Sequence, residues 1–262
     1  DYTKQVNDNN QFKAGLLLLH NQLKIRAFSE SNKDTWRREQ LYDRSPLSLA
    51  AYVQDKLEYE GFIANIGLRL EVNSPNAPVY LLDPFDPTYG QGLGSDLEES
   101  ADQEDAASFV TLSPRLGISH PITNRSKLYF NYGHFHSEPA STYRFRLQRE
   151  SNGRVMSIGN PNMKLEQTIA YELGYSHSIQ DIYLINVATY YKDVSNQPGW
   201  VTYTSVGGAV NYSTPENISY ADIRGIEFTL SKLSGDWLTG FLNFTYMVNT
   251  SGYFGLRRYY QD

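Results

Sequence analysis

Apolar and polar residues alternate with a period of two along most of this chain, and the clearest run is Phe62 to Val72. There Phe62, Ala64, Ile66, Leu68, Leu70 and Val72 share one face, while Asn65, Gly67, Arg69 and Glu71 share the other. Successive strand side chains point to opposite sides, so this pattern predicts a strand with one apolar and one polar face. Leu47 to Tyr59 alternates in the same way, with Asp55 the one charge on its apolar face. Only Glu60-Gly61 separates the two runs, a connection short enough to force an antiparallel hairpin.

The same reading predicts strands at about Gln11 to Arg26, Leu112 to Pro121, Lys127 to Ser137, Lys164 to Ser178, Ile182 to Lys192, Tyr220 to Lys232 and Trp237 to Asn249, which makes nine in all. Tight turns are expected at Glu60-Gly61, Thr123 to Ser126, Ile179 to Asp181 and Leu233 to Asp236. Long polar connections are expected at Ala27 to Pro46, Ser74 to Thr111, Glu138 to Met163 and Asp193 to Ser219. The two kinds alternate strictly, which puts every long loop at one end of the strands. Outer-membrane barrels have this asymmetry, with short periplasmic turns and long external loops. Strand length agrees, because roughly eleven residues at about 3.3 Å each, tilted near 45°, rise about 25 Å, the height of the apolar band. Strands of soluble sandwiches usually run about five or six residues. The expected fold class is all-β: a large antiparallel transmembrane β-barrel, apolar face outward, polar face lining the lumen. Tyr59, Phe62, Tyr183, Tyr191, Tyr220 and Trp237 fall near strand ends, where interfacial aromatic girdles sit.

Composition narrows the alternatives. The 262 residues include 21 Tyr, 12 Phe and 3 Trp but no Cys, which excludes a disulfide-stapled module and any Cys-ligated zinc site. The longest aliphatic run, Leu16 to Leu19, is far short of the roughly 20 residues of a membrane-spanning helix. A net charge of -6 with scattered basic residues gives no footprint for nucleic acid.

Enzymatic motifs are missing: there is no GxSxG, HExxH, Walker loop or GxGxxG, and Gly90 to Gly94 lacks the spacing of a nucleotide loop, so no enzyme and no cofactor is expected. His134 and His136 sit two apart on one strand face without a third ligand nearby in sequence, and no metal site is expected. The acidic stretch Asp96 to Asp105 lacks EF-hand spacing and reads as a solvated external loop. Eight loop aromatics, Tyr80, Phe85, Tyr89, Tyr143, Phe145, Trp200, Tyr203 and Tyr212, are candidates to grip a ligand or a partner protein, or to pack the loops on one another. Alternation also places Glu172 and Glu227 on the polar, lumen face of their strands. Each lies eight residues before its turn, so both are expected at the same depth, about 26 Å along the strand and about 10 Å apart laterally. Carboxylates held away from bulk water require cationic partners or hydrogen bonds.

Several segments carry a resemblance. GNPNMKLEQTIAYELGY (Gly159 to Tyr175) resembles a signature of TonB-dependent receptors of the bacterial outer membrane. So do IRGIEF (Ile223 to Phe228), LSPRLGISHPIT (Leu112 to Thr123), YVQDKLEYEGFIANIGLRLE (Tyr52 to Glu71) and KLYFNYGHF (Lys127 to Phe135), in order along the chain. They are most similar to the Oar-like branch, in which a carboxypeptidase-regulatory-like domain precedes the plug. The resemblance implies a barrel of about 22 strands, so residues 1–262 are expected to be a partial barrel domain of about nine strands, lacking the plug and a TonB box. Asp262 is not the terminal aromatic expected where such a barrel ends. The resemblance further implies that Glu172 and Glu227 lock the plug by facing its arginines. It implies as partners the protein's own plug domain, a TonB-type energy-transducing complex and outer-membrane lipid, with a surface partner protein as a further candidate. The expected function is ligand import across the bacterial outer membrane. The alternative is an outer-membrane anchor or surface-assembly protein that binds a partner and transports nothing.

Overall fold

A computed structural model describes residues 1–27, 40–91, 97, 101–150, 152–235 and 238–261. Its wall is one curved antiparallel sheet. The strands are β1 (Tyr2–Asn7), β2 (Asn10–His20), β5 (Leu47–Tyr59), β6 (Phe62–Ser74), β9 (Phe109–Thr123), β10 (Ser126–Ser137), β13 (Glu166–Ile179), β14 (Tyr183–Thr204), β15 (Asn211–Lys232) and β16 (Gly240–Tyr253). Each pairs with the next in that order, so the sheet is a meander with β1 and β16 at its edges. The short elements lie in the connections: β3 (Leu23–Ala27) pairs with β4 (Gln40–Arg44), and β7 (Pro78–Tyr80) with β8 (Gln103–Asp105). The helix α1 (Ser141–Phe145) precedes β11 (Leu147–Arg149) and β12 (Val155–Ile158), and β17 (Arg258–Tyr260) pairs with β14. No helix among the described residues is long and apolar enough to cross a membrane.

The tight turns stand at one end, as the alternation requires. Tyr59 and Phe62 flank Glu60-Gly61 and stack at 5.4 Å. Gln180 and Asp181 both take positive φ, 54° and 56°, the backbone of a two-residue turn that matches strand twist. Asp236 and Trp237 lie outside the described residues, as do Gly92, Gly94, Asp96, Glu98 and Glu99.

The wall turns an apolar face to its convex side. Leu16, Leu18, Leu49, Val53, Ile66, Leu68, Leu70, Leu112, Leu173, Ile226, Leu242 and Phe244 are all exposed, Leu16 to 78%. A water-soluble protein would bury such a surface, whereas in a bilayer it is the contact with acyl chains. Tyr132, Tyr171 and Tyr191 stand opposite one another on β10, β13 and β14, with ring centroids 5.1 Å and 6.3 Å apart. They form a row of the kind that marks a membrane interface.

Three expectations are corrected. A tenth wall strand, β1, precedes the nine; its outward row contains Lys4, which interrupts the apolar alternation. Gln11 to Arg26 divides into β2 and β3, because Asn21 N–H donates to the Pro46 carbonyl and Pro46 has no N–H to return. Asp193 to Ser219 is a continued hairpin, with β14 and β15 each 22 residues long. A bulge between Val194 and Pro198 shifts the register there, with Asn196 at φ 58°, and resets the period-two pattern.

Candidate functional site

The concave face of the wall carries the polar half of the alternation. Lys13, Tyr52, Gln54, Asn65, Arg69, Arg115, Asn131 and Glu172 line a pocket of about 740 Å³ there. Arg69 pairs with Glu71 at 2.8 Å, and the Arg115 guanidinium lies 4.7 Å from the centre of the Phe135 ring. Glu172 stands between Asn131 on β10 and Tyr190 on β14. Glu227 stands opposite Ala188 on β14. The Tyr129 ring, lying over Gly174 next to Glu172 in the sheet, is within electrostatic reach of both Glu172 and Glu227, so the three groups face one stretch of wall. The two carboxylates are not level. Glu227 lies two β14 positions nearer the turn end, about 7 Å along the strand. Equal depth was expected by counting to Gly235, but β15 ends at Lys232, opposite Tyr183, and a longer connection follows.

Tyrosines lie along this face rather than standing off it. Tyr52 pairs across strands with Gly15, Tyr129 with Gly174, and Tyr190 with Gly225. In each pair a Cβ on the glycine would strike the tyrosine ring or hydroxyl. The ring therefore occupies the space that glycine leaves open, an arrangement that pins register as well as covering bare backbone. Neither Tyr129 nor these pairs stood out in the sequence; a tyrosine and a glycine recurring at facing positions is the signal that would have revealed them.

At the opposite end from the turns, the connections form one lobe with its own apolar core. Tyr89, Leu97, Ala101, Val155, Ile158, Val210 and Tyr212 are buried together, with Tyr80, Leu82, Leu147 and Tyr203 packed against them. Five of the eight candidate aromatics meet here: Tyr89 stacks on Tyr212 at 4.3 Å, Tyr212 on Tyr203 at 5.7 Å, and Phe85 meets Tyr203 edge-on at 5.7 Å, while Tyr80 joins the same core. Tyr143 pairs with Trp200 at 5.7 Å, and Phe145 packs against buried Tyr42. Tyr259 of β17 adds to the stack on Tyr203. Burial first, and then Glu216, raises the Tyr203 hydroxyl well above the usual phenol range; burial and the neighbouring Tyr89 do the same for Tyr212. Asp86 caps the turn Pro87–Gly90 by accepting from the Thr88 amide at 2.8 Å, and those hydrogen bonds lower its carboxyl below the usual range. The tip of the β14–β15 hairpin docks onto the lobe through Arg154, which donates to the carbonyls of Gly208, at 2.8 Å, and Ala209.

A buried polar cluster seats the lobe on the wall. Arg144 is 1% exposed, donates from Nη1 to Asn73 Oδ1 at 3.0 Å and from Nη2 to the Met163 carbonyl at 3.3 Å, and stands 3.6 Å from Glu138. Glu138 accepts from Ser48 Oγ at 2.7 Å and from Asn73. These residues come from β5, β6, α1 and the Glu138 to Met163 connection, and sequence periodicity gives no sign of the cluster.

Among the described residues no group of three or more His, Asp or Glu could hold a metal ion. His134 Nε2 is 2.6 Å from the Tyr132 hydroxyl, and His136 Nδ1 is 2.9 Å from Ser113 Oγ. The described acidic residues of the expected loop, Asp102, Glu104 and Asp105, are exposed.

Comparison with known proteins places this geometry. No curated protein matched the chain in sequence. Among solved structures, the FrpB iron transporter of Neisseria meningitidis superposes with a TM-score of 0.63 at 14% identity, covering 94% of this chain and 34% of that one. The Serratia marcescens hemophore receptor HasR, solved with its hemophore HasA and heme, gives 0.65 at 19% identity, covering 94% and 40%. The ferric enterobactin receptor PfeA of Pseudomonas aeruginosa gives 0.62 at 17% identity, covering 91% and 33%. The chain thus spans 33 to 40% of the length of these three structures. The family model described as TonB dependent receptor-like, beta-barrel matches residues 2–261, and the chain belongs to that family.

Proposed function

We propose that this chain forms part of the barrel wall of a receptor that imports a ligand across the bacterial outer membrane. The concave face is then the lumen, the tight turns are periplasmic and the lobe is external. Glu172 and Glu227 hold a plug domain by accepting from its arginines, a TonB-type complex pulls that plug from the periplasm, and the external lobe, whose aromatics pack its own core, meets the ligand with its outer surface. The segments quoted above support placement in the Oar-like branch. Transport by FrpB and heme-bearing partner recognition by HasR support import over passive anchoring. The observation that carries the reading is the convergence of Tyr129, Glu172 and Glu227 on one stretch of a polar wall whose other face is apolar. Neither carboxylate is in an ion pair among the described residues, so both are open to cations from outside the wall.

The test is ion conductance of the full-length protein in planar bilayers. Glu172→Gln with Glu227→Gln keeps shape but removes the charge that makes such hydrogen bonds about twice as strong as neutral ones. The double variant should leak, whereas Glu71→Gln, which carries its own partner Arg69, should not. A double variant as tight as the parent, with any plug equally protected from hydrogen exchange, overturns the lock.

A further inference from the structure

Strand pairing lays a row of cations across the concave face. From Lys13 of β2 the register leads through Gln54 and Gly67 to Arg115 of β9, and from there through Gly133 and Ala170 to Lys192 of β14. Each cation is three strands from the next, about 14 Å at the usual strand spacing. No aspartate or glutamate stands between them. Three of the four intervening positions are glycine or alanine, so the wall there is nearly bare backbone.

None of the three cations is in an ion pair among the described residues. Arg115 lies against the Phe135 ring, and Lys192 Nζ is 5.2 Å from the centre of the Tyr190 ring. Toward the loops, the neighbouring carboxylates are engaged elsewhere: Glu71 by Arg69, and Asp1 by the Tyr52 hydroxyl at 2.9 Å. Toward the turns the sign changes. Glu172 lies two residues along β13 from Ala170, and Glu227 four along β15 from Ile223, the residue opposite Lys192. Lys56, the cation in the row of Glu172, is paired with Glu58 at 2.9 Å. The wall thus presents unpaired cations in one band and unpaired carboxylates in the next, roughly 7 to 13 Å further along the strands.

A cation facing open water needs no partner, but one covered by a folded domain requires a carboxylate or hydrogen bonds. We infer that the domain seated in the bore carries carboxylates against Lys13, Arg115 and Lys192. Its acidic groups then face the band nearer the loops and its arginines the band nearer the turns. This rests on the plug proposed above and adds the order of charges along that domain, which Glu172 and Glu227 alone leave open.

Carbodiimide treatment of the full-length protein in detergent, followed by mass spectrometry of its peptides, tests this, because the reagent joins a lysine amine to a carboxylate, with loss of water, only where the two touch. Lys13 and Lys192 should each become linked to an aspartate or glutamate outside residues 1–262, and Arg115→Lys should add a third such link. Lys13→Gln, Arg115→Gln and Lys192→Gln together should quicken hydrogen exchange of the domain in the bore about tenfold, while the wall strands stay protected. Absence of the links, or links only to carboxylates within residues 1–262, overturns the inference even where the Glu172→Gln, Glu227→Gln variant leaks. So does tripolyphosphate shielding both lysines from acetylation in place of such links, which makes a free anion the occupant. A full-length protein with no domain protected in the bore and no leak from that double variant overturns the plug itself, and this inference with it.

Discussion

Arg144 donates to Asn73 across 71 positions of sequence, at 3.0 Å, and both side chains are fully buried. One belongs to a loop helix and the other to the rim of β6, so the bond holds loop to wall. Arg144→Met should therefore loosen the lobe by about 1 to 3 kcal/mol, because Asn73 and Glu138 lose a charged partner in a buried place. Exposure of the Glu138 side chain to 37% keeps the loss from being larger. Hydrogen exchange should quicken across residues 138–163 while the wall strands stay protected. Arg144→Lys should not rescue it, since an ammonium cannot reach Asn73 and the Met163 carbonyl with one planar fork.

The two faces of β6 should differ sharply in their tolerance of charge. Leu68 is exposed on the apolar side between Val53 and Pro114, so Leu68→Arg should cost about 2 to 4 kcal/mol near the bilayer midplane. Gly67→Arg places the same charge on the polar side, where a Cβ meets only ordinary contacts with Val53 and Gln54. Unfolding in lipid vesicles reads both, and equal tolerance of the two would argue against a membrane wall.

Orientation can be read by labelling, since the chain has no native cysteine to confuse it. Asp102→Cys on the lobe should react with an impermeant thiol reagent on intact cells. Asn124→Cys, in the turn between β9 and β10, should react only after the cells are opened. The reverse result would invert the barrel.

Alkaline pH should undo the lobe before the wall. Tyr203 and Tyr212 have folded pKa values raised above the phenol value near 10, chiefly by burial. In the unfolded chain these hydroxyls ionise near pH 10 while the folded lobe keeps them neutral. Their contribution to stability is thus complete below about pH 10 and falls as pH rises past it. Tyrosinate absorbance should show a late-titrating class that Tyr212→Phe reduces, with lobe unfolding setting in as that class ionises.

The nine wall strands were legible because each is half in contact with an apolar medium, and period-two alternation reports that contact directly. Glu172 and Glu227 could be assigned to the polar face for the same reason. Alternation fails where the local environment changes. Lys4 interrupts the row that β1 contributes, and the bulge at Val194 to Pro198 reverses the parity just where β14 leaves the apolar band. The lobe was illegible for a different reason. Its core joins Tyr89, Val155 and Val210 from three separate connections, and no local pattern encodes a contact of that range. Its aromatics were visible one by one, but not the stack they make.

The tyrosine and glycine pairs on the concave face set a clearance. A ring lying flat over Gly15, Gly174 or Gly225 adds little thickness to the wall, whereas a methyl group beneath it would tip the ring into the open space. Three phenols on β5, β10 and β14 would then project inward like fingers, roughly doubling the depth of the side-chain layer they occupy. Three missing carbon atoms thus act as a gauge for the width of the bore, and whatever fills that bore, a folded domain or a moving solute, meets a wall planed smooth by glycine.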